Sequence, residues 1–276
     1  MLDIQDLSYQ YEENNDEHVL DNINLQIQKG EFVSIVGENG CGKSTLIQHL
    51  NALLVPTKGT VQIKGMDTKK PSNIWKIRQM VGMVFQNPHS QFIGTTVQED
   101  VAFGPENLAL PGYEIRKRVD YALSQVDMLK FKEHNPMSLS GGQKQCVAIA
   151  GVLAMNPEYI VFDEVTSMLD NRAQQIILDI IKQLQKNGIT IIYVTHRMEE
   201  AINSDRIIVM SKGKIMYDDD PQTVLKDPSL PESGIEVPPI IKLANKLNRD
   251  GILKTNTAGK LPLSSRELLE DLCQSM

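Results

Sequence analysis

Gly37-Glu38-Asn39-Gly40-Cys41-Gly42-Lys43-Ser44-Thr45 carries the first chemistry in the chain, and it matches G-x-x-x-x-G-K-[ST] in full. Glycines at this spacing let the backbone curl until successive N–H groups aim at one anion, and a helix starting next adds its positive end. Lys43 is long enough to reach the β- and γ-phosphates of a nucleotide, and the Ser44 hydroxyl suits Mg²⁺. The alternative is a plain glycine turn, but average glycine usage produces the full pattern by chance in only on the order of 1% of such chains.

A second group is Asp163-Glu164, placed after the apolar run Tyr159-Ile160-Val161-Phe162. A carboxylate at the C-terminal edge of a buried strand is where open α/β sheets put ligands. Asp163 can hold Mg²⁺ through water, and Glu164, turned to the other side of the strand end, can polarise an attacking water. Without the phosphate loop this pair would read only as an exposed acidic strand end. A third group is Leu139-Ser140-Gly141-Gly142-Gln143, ahead of the apolar positions Val147, Ala148, Ala150, Gly151 and Leu153. Glycines at a helix start make a further anion site. One chain therefore carries two phosphate-seeking elements.

These groups need elements to position them, and the hydrophobic pattern supplies candidates. Residues 23–27 alternate cleanly, 32–36 form a compact apolar run, and the helical spacing of Leu46, Ile47 and Leu50 follows the glycine loop. The pattern predicts further strands over 2–7, 60–63, 81–85, 159–162, 189–194, 206–210 and 214–217, with a turn at Gly213 between the last two. An amphipathic helix is expected over 173–184, and a long helical stretch over 97–133. Short apolar strands alternating with helices indicate a parallel α/β sheet, and the middle reads as a helical insertion. Pro221, Pro228, Pro231, Pro238 and Pro239 mark a boundary. Beyond it, Ile240, Ile241, Leu243, Ala244 and Leu247 recur at helical spacing. Ser264 with Glu267 forms a capping-box pattern before Leu268, Leu269 and Leu272.

Composition narrows the class. The 276 residues correspond to one large domain or one with an appendage. Lys and Arg number 28 against 35 Asp and Glu, a net charge of −7 that argues against a nucleic-acid partner. Hydrophobic residues make up 41% and charged residues 23%, as expected of a folded globular chain. No apolar run approaches the ~18–20 residues of a spanning helix. The acidic N-terminus lacks a signal pattern, and three scattered cysteines fit a reduced cytosolic setting.

Together the phosphate loop, the acidic strand end and Leu139–Gln143 resemble the ATP-binding-cassette (ABC) ATPases, with residues 1 to about 228 similar to that family end to end. The resemblance implies an α/β fold, an ABC-type P-loop nucleoside triphosphatase. It would have a RecA-like core, an antiparallel β subdomain, a helical subdomain at about 87–155 and a small C-terminal helical extension over 229–276. It also implies ATP as substrate with Mg²⁺, and two cassettes facing head to tail. Ser140 and Gly142 would then contact the γ-phosphate held by the partner. By the same resemblance Gln86 touches Mg²⁺ and the lytic water, and Ser44 and Asp163 serve the metal. Asp170 contacts the opposite cassette, His196 contacts the γ-phosphate, and Tyr11 (or else Tyr9) stacks on adenine. Alone, His196 would read as a surface histidine and Gln86 as unremarkable. Asn171, Arg197, Cys146 and Met168 depart from common family residues, none of them at a catalytic position.

Residues 85–104 and the appendage are similar to the ATPase subunits of energy-coupling factor (ECF) importers, closest to the first of their two ATPase types. That likeness implies a second, homologous ATPase as heterodimer partner, a transmembrane T subunit and a substrate-binding S subunit. The site would lie at the cytoplasmic face of the cell membrane and serve uptake of vitamins or transition-metal ions. The competing expectations are a conventional ABC importer ATPase working with a solute-binding protein, and a soluble ABC ATPase unconnected with transport.

Overall fold

A computed structural model describes residues 1–11, 18–88, 91–252 and 260–275 of the chain. In chain order the elements begin with β1 (Leu2–Tyr9), β2 (Leu20–Ile27), β3 (Phe32–Gly37), α1 (Lys43–Leu50), β4 (Lys58–Ile63), β5 (Met66–Asp67), α2 (Pro71–Met80) and β6 (Val81–Val84). Next come α3 (Val97–Asn107), α4 (Gly112–Gln125), α5 (Gly141–Ala154), β7 (Tyr159–Asp163), α6 (Asn171–Lys186) and β8 (Thr190–Thr195). The chain ends with α7 (Met198–Ala201), β9 (Arg206–Ser211), β10 (Lys214–Asp219), α8 (Pro221–Lys226), α9 (Pro239–Arg249) and α10 (Ser265–Ser275).

Every residue of β3 and of β8 is buried. Runs of this kind cannot lie at an edge, and they take central places in a six-stranded sheet of order β10-β9-β3-β8-β7-β6. β9, β3, β8, β7 and β6 are parallel, and β10 closes the edge antiparallel to β9 through a hairpin in which Lys212 and Gly213 both have positive φ. A second, antiparallel sheet has the order β2-β1-β4-β5.

Side chains on a strand alternate between faces, and this alternation divides the core. Ile160 and Phe162 of β7 pack with the buried faces of α3 to α6, whereas Tyr159 and Val161 join the antiparallel sheet and α1. In α6, Ile177, Ile180, Ile181 and Leu184 supply one buried stripe at helical spacing. A smaller cluster, with Val36, Met198, Ile207, Val209, Leu230, Ile235 and Ile241, docks the C-terminal helices against the far edge. Among the described residues no helix is long and apolar enough to cross a membrane.

The expected strands are all present, several extended by a residue or two. The long middle stretch divides into α3 and α4, each ended before residue 133. Three helices lie outside the expected pattern: α2, α8 and the single turn α7 (Met198–Ala201). α2 starts at Pro71, and α8 starts at Pro221 behind Asp220, whose carboxylate accepts from the amides of Gln222 and Thr223. Pro221 stands first among the boundary prolines, yet proline at the first helical position behind an aspartate cap is a start signal. The capping pattern before α10 is half realised: Ser264 Oγ accepts from the Glu267 amide, while the Glu267 carboxylate takes the amide of Leu263. His89 and Ser90, within the 85–104 segment, lie outside the described residues, as do 253–259 of the C-terminal segment.

Candidate active site

β3 ends at Gly37, where a side chain has no room: a Cβ would run into the carbonyl oxygen of Met210 in β9 and into Cys41 Sγ. The chain then turns through Gly40 (φ +80°) and Gly42 (φ +105°), left-handed conformations that favour glycine. A Cβ on Gly42 would also approach the Val19 carbonyl oxygen to 2.8 Å. α1 begins directly at Lys43, so its free amides and positive end face the loop. Glu38, Asn39 and Gly40 are exposed at the tip, while Cys41 packs beneath, its thiol pushed up chiefly by burial. Lys43 is only 5% exposed and donates from Nζ to the carbonyls of Gly37 (2.7 Å) and Glu38 (2.8 Å).

An aromatic wall stands beside α1. The hydroxyls of Tyr11 and Thr45 lie 3.2 Å apart, and the Tyr11 ring stands edge-on to Tyr9 at 4.9 Å. Tyr9 in turn packs edge-on against buried His49, whereas Tyr11 is exposed. The His49 ring pairs through Nδ1 with the Thr45 carbonyl (2.7 Å), and burial lowers its pKa from 6.5 despite that contact. A histidine whose folded pKa is lowered contributes stability that is complete above the unfolded value and is lost as pH falls through the folded one. The melting temperature is therefore expected to drop between pH 7.5 and 5.5, and His49→Gln should flatten that drop. An unaltered pH slope in the variant would refute the assignment.

β7 delivers the two carboxylates. Ser44 Oγ donates to Asp163 Oδ1 across 3.4 Å, joining the helix after the loop to the strand end. Burial, and then the neighbouring Glu164 charge, raise Asp163 above the ordinary carboxylate range, with Ser44 and Lys43 opposing. Glu164 has φ +48°, uncommon for a non-glycine residue, and its amide donates to the Val194 carbonyl at 3.0 Å. That bend turns the two carboxylates apart. Glu164 Oε2 comes to 3.4 Å from His196 Nδ1, which lies just past β8. A relay of polar contacts reaches the loop after β6: Gln86 Nε2 donates to Ser167 Oγ (3.0 Å), and Ser167 Oγ donates to the Glu164 carbonyl (2.9 Å).

Leu139–Gln143 forms a different construction. Ser140 caps α5, and the two side chains satisfy each other's backbone: Gln143 Oε1 accepts from the Ser140 amide (2.9 Å), and Ser140 Oγ accepts from the Gln143 amide (3.4 Å). Leu139 is buried below, Gly141 is exposed, and Gly142 lies so close to α6 that a Cβ would come within 2.8 Å of Ala173 Cβ. Asp170 caps α6 with a 2.8 Å bond from the Ala173 amide. Ser140, Gly142, Gln143 and Asp170 line one groove, and Gly37, Glu38, Asn39 and His196 line another. The fold thus unites the loop, Ser44, Asp163, Glu164, His196 and Gln86. The Ser140–Gln143 turn lines a separate groove.

Ser167 opens the Ser167–Asp170 run whose resemblance implies contact with the opposite cassette; within the chain it also bridges Gln86 and Glu164. One residue at this site lies outside every sequence pattern: Glu200, a carboxylate only 4% exposed beneath the His196 turn, whose one available sign is a glutamate between the apolar Met198 and Ala201.

Comparison with known proteins agrees with this geometry. A family model described as "ABC transporter" matches residues 20–167. Over 278 residues the chain is 49% identical to an "Energy-coupling factor transporter ATP-binding protein EcfA1" of Clostridium novyi, covering 99% of this chain and 98% of that one. Among solved structures it is similar to cbiO1 of Clostridium perfringens, described as part of the ABC transporter complex cbiONQ. That match has a TM-score of 0.78 and 36% identity, covering 91% of this chain and 96% of the other. It is also similar to a dimeric post-hydrolysis state of the ATP-binding cassette MJ0796 bound to ADP and Pi. There the TM-score is 0.72 and the identity 34%, covering 80% of this chain and 98% of the other.

Proposed function

The chain belongs to the ABC transporter ATPases, enzymes that couple ATP hydrolysis to transport, and within that family we propose that it is the ATPase of an ECF-type importer. The observation that supports the finer reading is likeness to an ECF ATP-binding protein along essentially the whole chain, C-terminal segment included, at 49% identity. In this reading the protein works at the cytoplasmic face of the cell membrane. A second, homologous ATPase completes its sites, a transmembrane T subunit receives the motion, and an S subunit binds a vitamin or a transition-metal ion.

The residue roles of this reading are those the family likeness implies, and the distances given above support them. The loop amides and Lys43 hold the nucleotide phosphates, and Nζ exchanges its carbonyl partners for phosphate oxygens. Tyr11 offers an exposed ring to the adenine. Glu164 takes the proton of the attacking water, and His196 beside it fixes the carboxylate and reaches the γ-phosphate. Gln86 senses the same point from the loop after β6. By the family likeness Ser140 and Gly142, which line a different groove from their own loop, act on the ATP of the partner cassette, with Asp170 at the same contact. Catalysis here is mainly positioning and charge stabilisation.

The donor set fits a divalent cation. The Ser44 hydroxyl and the Asp163 carboxylate converge, and Asp163 is raised by burial and by Glu164, both of which a cation would relieve. Mg²⁺ held by Ser44, the Gln86 amide oxygen and (through water) Asp163 would neutralise charge on the β- and γ-phosphates.

The reading is tested by isolating the tagged full-length chain from its native cell in mild detergent and identifying its companions by mass spectrometry. A second homologous ATPase, a T-type membrane subunit and a small membrane protein carrying a bound small molecule are expected. A permease pair together with an extracellular solute-binding protein would overturn the ECF assignment in favour of a conventional importer.

A further inference from the structure

A carboxylate placed inside a protein must be met by donors or it will not stay charged. Glu200, in the single turn of α7, meets this demand with side chains from both loops of the site. Thr166 Oγ1 lies 3.0 Å from each carboxylate oxygen, the Tyr193 hydroxyl donates to Oε2 at 2.7 Å, and the Thr195 hydroxyl donates to the same oxygen at 2.7 Å. Arg197 Nη1 lies 3.3 Å from Oε1. Burial and the adjacent Glu200 charge both hold the Tyr193 phenol well above its usual range, which keeps it a donor.

The origin of these donors matters more than their number. Thr166 lies two residues past Glu164, Thr195 immediately precedes His196, and Arg197 immediately follows it. Thr195 Oγ1 also accepts from the Arg197 amide at 3.0 Å, which closes the turn that carries His196. Arg197 Nη1 donates onward to Gln174 Oε1 (2.8 Å), and Gln174 Nε2 donates to the carbonyls of Thr166 (3.2 Å) and Leu169 (2.9 Å), next to Asp170. One buried carboxylate therefore joins the Glu164 segment, the His196 turn and the Asp170 loop.

Stability alone gives little reason for such a group. Met198 and Ala201 on the same turn belong to an apolar cluster, and apolar replacement of a buried ionic group is often neutral or stabilising. We propose that Glu200 is a positioning residue: its carboxylate sets the spacing of Glu164 and His196 and, through Arg197 and Gln174, ties that pair to the partner-facing Asp170 loop. Arg197 is then the cation that this clamp uses. The proposal rests on the roles given above to Glu164 and His196.

The test compares Glu200→Gln with Glu164→Gln in the full-length chain purified with its native partners. Glu200→Gln is expected to lower kcat by about 10- to 100-fold, since small displacements of reacting groups cost that much. The KM for ATP and the stoichiometry of nucleotide binding should change less than about threefold, because Glu200 makes no contact with the phosphate loop. Glu200→Asp, which restores the charge, should recover part of the rate. A merely structural role would lower binding stoichiometry and rate together, and the aspartate would not separate them. If Glu200→Gln does not fold, Tyr193→Phe and Thr195→Val, which each remove one donor at constant size, should reduce kcat severalfold with binding intact. A rate within twofold of wild type in all variants that fold, while Glu164→Gln abolishes turnover, overturns the clamp and leaves the site reading standing. Undiminished turnover in Glu164→Gln brings both down.

Discussion

Glu164→Gln is expected to keep ATP bound while turnover falls by about 10²- to 10⁴-fold, the usual contribution of a positioned general base. The substitution is nearly isosteric and leaves the backbone arrangement intact. The bend at φ +48°, the amide bond to Val194 and the Ser167 bond to the Glu164 carbonyl all involve main-chain atoms. What changes is the side-chain atom 3.4 Å from His196 Nδ1. An amide cannot take a proton from water at neutral pH, so the step loses about 3–5 kcal/mol of assistance. Nothing at Lys43 or in the glycine loop is altered, so nucleotide affinity should stay near that of the wild type. Phosphate release and nucleotide binding, measured side by side, check this. Turnover within tenfold of wild type would remove Glu164 from the role of base.

Lys43→Met is expected to act on the opposite quantity. Nζ is anchored at 2.7 and 2.8 Å to two loop carbonyls, and the side chain is almost fully buried. It is therefore held at the loop before any phosphate arrives, with little rotamer freedom left to lose. Methionine keeps most of the volume but removes the charge and all the donors. Hydrogen bonds to charged groups contribute roughly 1.5–3 kcal/mol each. Losing about two of them should weaken ATP binding by about two to four decades. The empty protein should lose stability as well, by about 1–2 kcal/mol, because the two carbonyls lose their donor. Titration with a fluorescent ATP analogue and thermal melting separate the two effects. An affinity within threefold of wild type would contradict the proposed phosphate contact.

Much of the site was legible because its parts are local. The phosphate loop is a run of main-chain conformations, and only glycine takes the left-handed angles at Gly40 and Gly42 without cost. The Ser140–Gln143 run was legible as a glycine-bearing helix start, while its reciprocal cap is a finding of the structure. Strand positions were readable because runs such as Phe32–Gly37 and Thr190–Thr195 are mostly apolar or β-branched, with Ser34 the polar exception. The helices α2 and α8 were less legible. Each begins on proline and is short, and proline read as a breaker conceals a helix start.

By itself, then, the amino-acid sequence determined the phosphate loop, the acidic strand end, the glycine-bearing helix start at Ser140 and the alternation that makes a parallel sheet. Each rests on backbone preference or periodicity within a few residues. The meeting of Glu164 with His196 was decided by tertiary structure, because it depends on the parallel register that sets Asp163 of β7 beside Val194 of β8. The same is true of Gln86 with Ser167, 81 residues apart, and of the Glu200 clamp, whose donors span residues 166 to 197. Tertiary structure also put Ser140 and Gly142 in a different groove from the loop they resemble in chemistry. A buried carboxylate leaves no trace in a pattern; its position becomes meaningful only when the surrounding hydroxyls have been folded around it.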